Sequence, residues 1–238
     1  MSKILVYTEF QSTGPQTANL KRSSQELLQF AAKTGRPVVA LALGTQASFA
    51  AQQLAHYGAQ EVLLCKDATY DVYNPELFAV AVEESMQKTG ATLVLASASS
   101  SAKDLFPRVA AKIGAGLVSD GTELVVSGES IKVKKPLYSG KCFATAVFEN
   151  SNVNIVLMRA NQLPVTTADT TKIANISEIT FTKPNLKTLI KEIIKGASEK
   201  LDLTEANIIV SGGRGLKEAG NFKMLNDLAA VLGATVGA

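Results

Sequence analysis

Histidine and cysteine are nearly missing from this chain. One histidine, His56, and two cysteines, Cys65 and Cys142, are spread over 238 residues. A single histidine cannot make a metal site, and no Cys/His cluster stands in for it. His56 falls near the end of a predicted helix, where a helix-end role suits it better than catalysis. Each cysteine lies inside a strand-like run, far from the other, so both read as buried thiols in a reducing compartment. Neither has a base near it in sequence, and no nucleophile–base pattern or pair of carboxylates stands out. That weighs against hydrolase or transferase chemistry.

Long apolar runs and a dominant charge are also absent. No segment approaches the roughly 20 apolar residues that span a bilayer, so no membrane insertion is expected. The opening Met1-Ser2-Lys3-Ile4-Leu5-Val6-Tyr7-Thr8-Glu9 has a short apolar run, a carboxylate behind it and no small-residue cleavage site; it reads as a strand and not as a signal peptide. Lys+Arg number 24 against 21 Asp+Glu, a net charge of +3. A nucleic-acid partner would need a concentrated basic patch, and none is expected here. With 46% hydrophobic and 19% charged residues, the composition is that of an ordinary globular protein, expected in the cytoplasm. The length allows one large domain or two smaller ones.

What is present is alternation. Ile4–Tyr7 is an apolar run. Ser23-Ser24-Gln25-Glu26 has the form of a capping box ahead of a helix ended by Gly35. Strands follow at Val38–Leu43, Val62–Cys65 and Thr92–Ala96. Between them lie a helix over 47–57, stopped by Gly58, and one opened by Asn74-Pro75-Glu76 and closed by Gly90. Near-continuous apolar strands between amphipathic helices predict a doubly wound, mostly parallel α/β sheet. After Ile113 the pattern changes. Thr122–Val126, Ile131–Val133, Cys142–Phe148 and Asn154–Met158 read as antiparallel hairpins appended to that sheet, and Ile176–Phe181 as a last strand. Residues 1–184 are expected to form one α/β domain.

Lys183-Pro184-Asn185 marks a boundary. Residues 185–238 are expected to hold a linker helix over 186–195 and the first strand–helix unit of a second α/β domain. In that helix Leu186, Leu189, Ile190, Ile193 and Ile194 form an apolar stripe, and Lys187, Lys191 and Lys195 a solvated one. The new strand is 207–210, and the next helix runs from about Phe222 to Leu232. A single strand–helix unit cannot cover its own apolar face, so this region is expected to be incomplete, through removal of the rest or because a partner supplies it.

Two loops could carry chemistry. Ser211-Gly212-Gly213-Arg214-Gly215 follows the new strand. A glycine-rich turn leaves backbone N–H groups for a phosphate, and Arg214 adds a fork of donors suited to pyrophosphate. It lacks the Gly-Lys-Ser/Thr of a P-loop, and Glu218 stands where the dinucleotide pattern has glycine; phosphate binding and a plain turn both fit. Ser97-Ala98-Ser99-Ser100-Ser101-Ala102-Lys103-Asp104 lies at the carboxyl edge of the first sheet, a usual ligand position. Serines that cap a helix, with Asp104 in its first turn and Arg108 paired to it, explain that loop better.

The chain closely resembles the α subunit of the electron transfer flavoproteins along its whole length. The resemblance rests on Ile4–Glu9, on Ser99–Arg108 running through Ala110–Ile113 into Gly116–Asp120, and on Lys135-Pro136-Leu137-Tyr138-Ser139-Gly140-Lys141. Its most specific piece is Val210–Leu216 followed by Asn221-Phe222. Met158-Arg159-Ala160-Asn161 departs mildly from the Arg-Pro-Asn form of the family.

The resemblance implies an electron carrier and not an enzyme. Its FAD takes electrons from acyl-CoA and related dehydrogenases, as in fatty acid β-oxidation, and passes them to a quinone oxidoreductase or another acceptor. It implies a heterodimer in which the first domain is a scaffold that packs on a β subunit, and AMP in that β subunit. Arg214 would contact the FAD, and Gly213 beside it would let the cofactor approach. Most FAD contacts of the family lie beyond the residues present here, so this truncated chain is expected to keep scaffold and docking roles and not to hold FAD tightly. The alternative readings are a stand-alone adenine-nucleotide-binding module and a pure interaction module. The first would need a glycine-rich phosphate loop after one of the first four strands. Gly44 stands alone, and Ser97–Ser101 has no glycine.

Overall fold

The computed structural model describes residues 2–14, 16–188, 190, 203, 206 and 208–238. The chain divides into two compact units, Met1–Ile190 and Lys191–Ala238.

In the first unit the chain runs β1 (Lys3–Tyr7), β2 (Phe10–Gly14), β3 (Thr17–Leu20), α1 (Arg22–Lys33), β4 (Val38–Leu43), α2 (Thr45–His56), β5 (Glu61–Cys65), α3 (Pro75–Thr89), β6 (Ala91–Ser97) and α4 (Ser100–Ile113). It continues as β7 (Gly116–Gly121), β8 (Glu123–Ser127), β9 (Ser130–Leu137), β10 (Cys142–Val147), β11 (Asn154–Met158) and β12 (Asn175–Glu178). Seven strands form one sheet in the order β12-β5-β4-β1-β6-β11-β7, with every neighbouring pair parallel.

Alternation along each central strand separates two cores. Ile4 and Val6 of β1 pack with Leu27, Leu28, Ala31, Ala47 and Leu54 from α1 and α2. Leu5 and Tyr7 face the other way, against Leu77, Phe78, Leu105 and Phe106 from α3 and α4. The sheet is therefore covered on both faces, as its apolar strands predict. β8, β9 and β10 form a separate antiparallel sheet whose Leu124, Ile131 and Val133 join the α1/α2 core.

Several helix signals act as the sequence predicts. Asn74 Oδ1 accepts from the N–H groups of Glu76 (3.0 Å) and Leu77 (3.2 Å), with Pro75 at the first helical position. Ser99 Oγ accepts from Ala102 N (3.2 Å) and caps α4. Arg108 Nη2 donates to Asp104 at 2.8 Å as expected, although Asp104 lies beyond the first turn of that helix and not in it. His56 is the last residue of α2.

Other expectations are corrected. The capping box at Ser23–Glu26 does not form: α1 starts at Arg22, and its N-cap is Lys21, without a side-chain bond. Long-range partners use these side chains instead. Ser24 Oγ accepts from Glu9 N (2.9 Å), and the buried Glu26 carboxylate accepts from Asn161 N (3.1 Å) and Leu163 N (3.3 Å). Asn154–Met158 is not part of an antiparallel hairpin; as β11 it inserts parallel between β6 and β7. The run is apolar enough to be buried on both faces, which is the parallel-strand signature. β7 and the β2–β3 hairpin were not expected as strands. Cys65 is buried, but Cys142 is exposed, because it opens an edge strand of the small sheet beside the 138–141 turn. The last strand stops at Glu178, and Phe181 reaches the α3/α4 core from outside it.

The predicted helix over 186–195 lies mainly outside the described residues, and residues 186–188 are not helical. In the second unit, β13 (Ile209–Ser211) pairs parallel with β14 (Thr235–Gly237), and α5 (Lys223–Leu232) connects them. This is a parallel strand–helix–strand unit. Among the described residues no helix is long and apolar enough to cross a membrane.

Candidate functional site

The glycine loop of the second unit follows β13. Gly212 N donates to Gly237 O (3.1 Å), which ties the start of the loop to β14. A Cβ at Gly212 would stand 2.3 Å from Leu216 Cδ1 and 2.5 Å from Leu225 Cδ1, so this glycine lets α5 pack closely on the loop. Gly213 and Gly215 differ, since a Cβ on either meets open space.

The chain then makes two short 3-10 turns, Arg214–Leu216 and Ala219–Phe222, before α5 begins at Lys223. Leu216 N and Lys217 N close the first turn on the carbonyls of Gly213 and Arg214. Among the described residues the N–H groups of Gly213, Arg214 and Gly215 make no hydrogen bond, and the Arg214 side chain, which is exposed, makes no ion pair. The sequence pattern sets the next helix at about Phe222, and α5 begins within one residue of that. The structure places the α5 start eight residues beyond Gly215, so helix-end N–H groups do not reinforce it. What remains is a run of open backbone donors beside a guanidinium, which matches the needs of a pyrophosphate. An open depression of about 570 Å³ adjoins Gly215, with Lys217 and Lys223 in its wall.

The first unit has a second candidate. β1 lies between β4 and β6. Connections therefore leave it in opposite directions, and the loops at the carboxyl ends part to form the crevice where open α/β sheets bind ligands. Helices α2 and α4 both start there, and the chain's own carboxylates occupy both starts. Asp71 accepts from Thr45 N (2.6 Å) and Thr45 Oγ1 (2.7 Å). Glu9 Oε1 accepts from Ser99 Oγ (2.6 Å) and Ser101 Oγ (3.1 Å). Helix starts favour negative charge, so these carboxylates hold the positions a phosphate would take. The crevice is a poor fit for a nucleotide.

Two segments distant in sequence meet at the carboxyl ends of β7 and β11. Arg159 Nε donates to Asp120 Oδ1 (3.0 Å) and Nη2 to Oδ2 (2.6 Å), a two-pronged pair. The guanidinium holds the Asp120 carboxyl below the usual carboxylate range. A depressed folded-state pKa contributes stability above the unfolded value, and that stability is lost as pH falls through the folded one. Asp120→Asn should therefore flatten the acid side of the stability profile below about pH 4. Urea midpoints of parent and variant across that range check this; parallel curves would remove the pair from the acid response.

No sequence pattern announced the Glu9–Ser99–Ser101 cluster. It joins loops about 90 residues apart, and only the sheet order brings them together.

Comparisons with known proteins cover both units. Residues 14–184 match the family described as electron transfer flavoprotein domain, and residues 202–238 match the electron transfer flavoprotein FAD-binding domain. The electron transfer flavoprotein subunit alpha of Bacillus subtilis is 33% identical over 201 residues, which is 84% of this chain and 62% of that protein. Protein FixB of Clostridium saccharobutylicum is 31% identical over 225 residues, 91% of this chain and 67% of that protein. A probable mitochondrial subunit alpha of Caenorhabditis elegans is 33% identical over 210 residues, 87% of this chain and 61% of that protein. The chain thus spans about two thirds of the length of these relatives.

Proposed function

Since the chain belongs to the electron transfer flavoprotein α-subunit family, we propose that it acts within an electron carrier and not as an enzyme. In this reading the whole protein is a heterodimer with a β subunit. Its FAD carries electrons from acyl-CoA and related dehydrogenases to a quinone oxidoreductase or another acceptor. Residues 1–184 serve as the scaffold and docking domain, and residues 185–238 supply a linker and the first part of the FAD-binding domain. The AMP of the complex belongs to the β subunit, in keeping with a first-unit crevice whose anion positions Glu9 and Asp71 already occupy.

The observation that carries the reading is the agreement between the FAD-binding match over 202–238 and the open loop inside it. Gly213, Arg214 and Gly215 would hold the FAD pyrophosphate through their N–H groups and the Arg214 guanidinium. Bound FAD supplies the electron-accepting isoalloxazine; these residues only position and neutralise the phosphates. The loop alone offers few contacts, so this chain by itself is expected to hold FAD weakly. For docking, the outer face of the small antiparallel sheet presents exposed apolar side chains among charged ones, including the Lys134–Glu123 ion pair. Val125 is 56%, Phe143 59% and Val147 51% exposed, with Lys132 between the two valines. A face of this kind suits a subunit interface.

The test is co-expression with a candidate β subunit, with the α chain extended to the length of its relatives. A yellow heterodimer with flavin absorbance is expected. A colourless heterodimer after FAD reconstitution, or an α chain that never associates, would overturn the reading. In the extended form, Arg214→Ala should weaken FAD binding by about 1–3 kcal/mol, the range for a lost charge-assisted contact. Unchanged affinity by fluorescence titration would take Arg214 out of the site.

A further inference from the structure

The chain reverses sharply at Lys217. Its backbone there has φ +62° and ψ −53°, and Glu218 N donates to Leu216 O at 2.7 Å across it. Those angles with an i to i+2 bond define the γ-turn of positive φ, a rare and strained form. Glycine would adopt it without the clash that a Cβ brings. The surrounding loop has glycine at 212, 213, 215 and 220, but lysine stands at this position. Strain of this kind persists only where neighbouring contacts over-determine it, and it collects at ligand sites.

Those contacts are present. Leu216 O accepts a second bond, from Asn221 Nδ2 (2.7 Å), and Asn221 N donates to Glu218 O (3.1 Å). On the other side Lys217 N closes on Arg214 O (3.1 Å). The turn is therefore held from both ends. What it achieves is placement of charge. Lys217 borders the depression beside Gly215, whereas Glu218, the next residue, does not. Among the described residues the Lys217 ammonium makes no hydrogen bond and no ion pair. The other lysine of that wall, Lys223, is paired with Asp227 (3.0 Å). Lys217 is thus the lysine of the wall left for a ligand, three residues from the unpaired Arg214.

We propose that Lys217 is a second cationic contact to the FAD pyrophosphate, presented by a strained turn that Asn221 locks. The inference rests on the flavin reading above and adds a residue to its site. A pyrophosphate bridge carries one negative charge on each phosphate, and Arg214 alone would balance only one of them. The lysine ammonium is a compact charge on a flexible stem, so it can reach the phosphate that the planar guanidinium fork leaves uncovered. Because the turn is already formed, the loop loses little freedom when the cofactor arrives.

The test uses the extended α chain in its complex with a β subunit, with FAD affinity read by fluorescence titration and apo stability by urea midpoint. Lys217→Ala should weaken FAD about ten-fold by removing a charge-assisted contact, and Lys217→Arg should keep most of the affinity. Lys217→Gly should weaken FAD as much as alanine does and yet raise the apo midpoint, because it relieves the backbone. Asn221→Ala should weaken FAD in the parent and much less in the Lys217→Ala background, because it acts through Lys217. Unchanged FAD affinity in both Lys217→Ala and Lys217→Gly, or an arginine variant no better than alanine, would overturn the contact. Additive losses from Asn221→Ala and Lys217→Ala would overturn the lock. If the parent binds FAD and only Arg214→Ala weakens it, this inference fails and the flavin reading stands. A parent that takes up no FAD overturns both.

Discussion

Phe106→Ala should lower the unfolding free energy by about 3–5 kcal/mol, the usual cost of removing a fully buried phenylalanine. Phe106 has no exposed surface and is among the largest fully buried side chains. It sits in the α3/α4 core, and its ring lies edge-on to Tyr7, with centroids 5.5 Å apart and planes at 83°. The edge-to-face contact adds to the area term. The neighbourhood has little room to collapse, because Leu5, Val94 and Ile155 come from rigid central strands. With no tryptophan in the chain, urea unfolding is best followed by far-UV circular dichroism. A loss below about 1 kcal/mol would mean that α4 repacks freely and is not anchored through this ring.

Gly58→Ala should cost about 2–4 kcal/mol, from two separate causes. Gly58 has φ +117°, a conformation that side chains avoid, and an added Cβ would stand 2.6 Å from Ala32 Cβ of α1. Ala32 has no rotamer with which to move away. Gly35 provides the control: its φ is +75°, and nothing lies within 4 Å of an added Cβ. Gly35→Ala therefore reports backbone strain alone and should cost about 1 kcal/mol. If the two variants lose equal stability in parallel urea titrations, the close approach of α1 contributes nothing.

Gly58 also shows how far the sequence could be read. Its role as the stop after α2 was legible, because glycine after an amphipathic run is a local signal. Its contact with Ala32 was not, since two helices must first dock on the same face of the sheet. The same holds for Ser23–Glu26. The spacing is that of a capping box, yet Ser24 and Glu26 bond to residues at 9, 161 and 163. A local motif competes there with tertiary partners, and the partners win because the groups are buried. β11 illustrates a third kind of miss. Its apolar run was recognised as a strand, but its neighbours were assigned by sequence proximity to the hairpins. Sheet order is a long-range property, and β11 crosses back to fill the space between β6 and β7.

At the sites the division is similar. The donors of the Ser211–Gly215 loop could be named from composition and from family resemblance, because they reside in consecutive residues. The start of the following helix, near Phe222, was legible too; the two 3-10 turns between them were not, since nothing in the pattern marks them. The carboxylates of Glu9 and Asp71 carry no motif at all.

By itself, then, the sequence determined the family, the alternation of strand and helix, the two-sided cover of the sheet and the position of the glycine loop. These follow from periodicity and from short-range backbone chemistry, which neighbouring residues specify. The tertiary structure alone decided that Glu9 and Asp71 occupy the helix starts of the first crevice, and that the buried Ser24 and Glu26 take partners far along the chain. Strand order sets which loops converge, and burial sets which polar groups lose their water; neither quantity exists until the sheet has assembled.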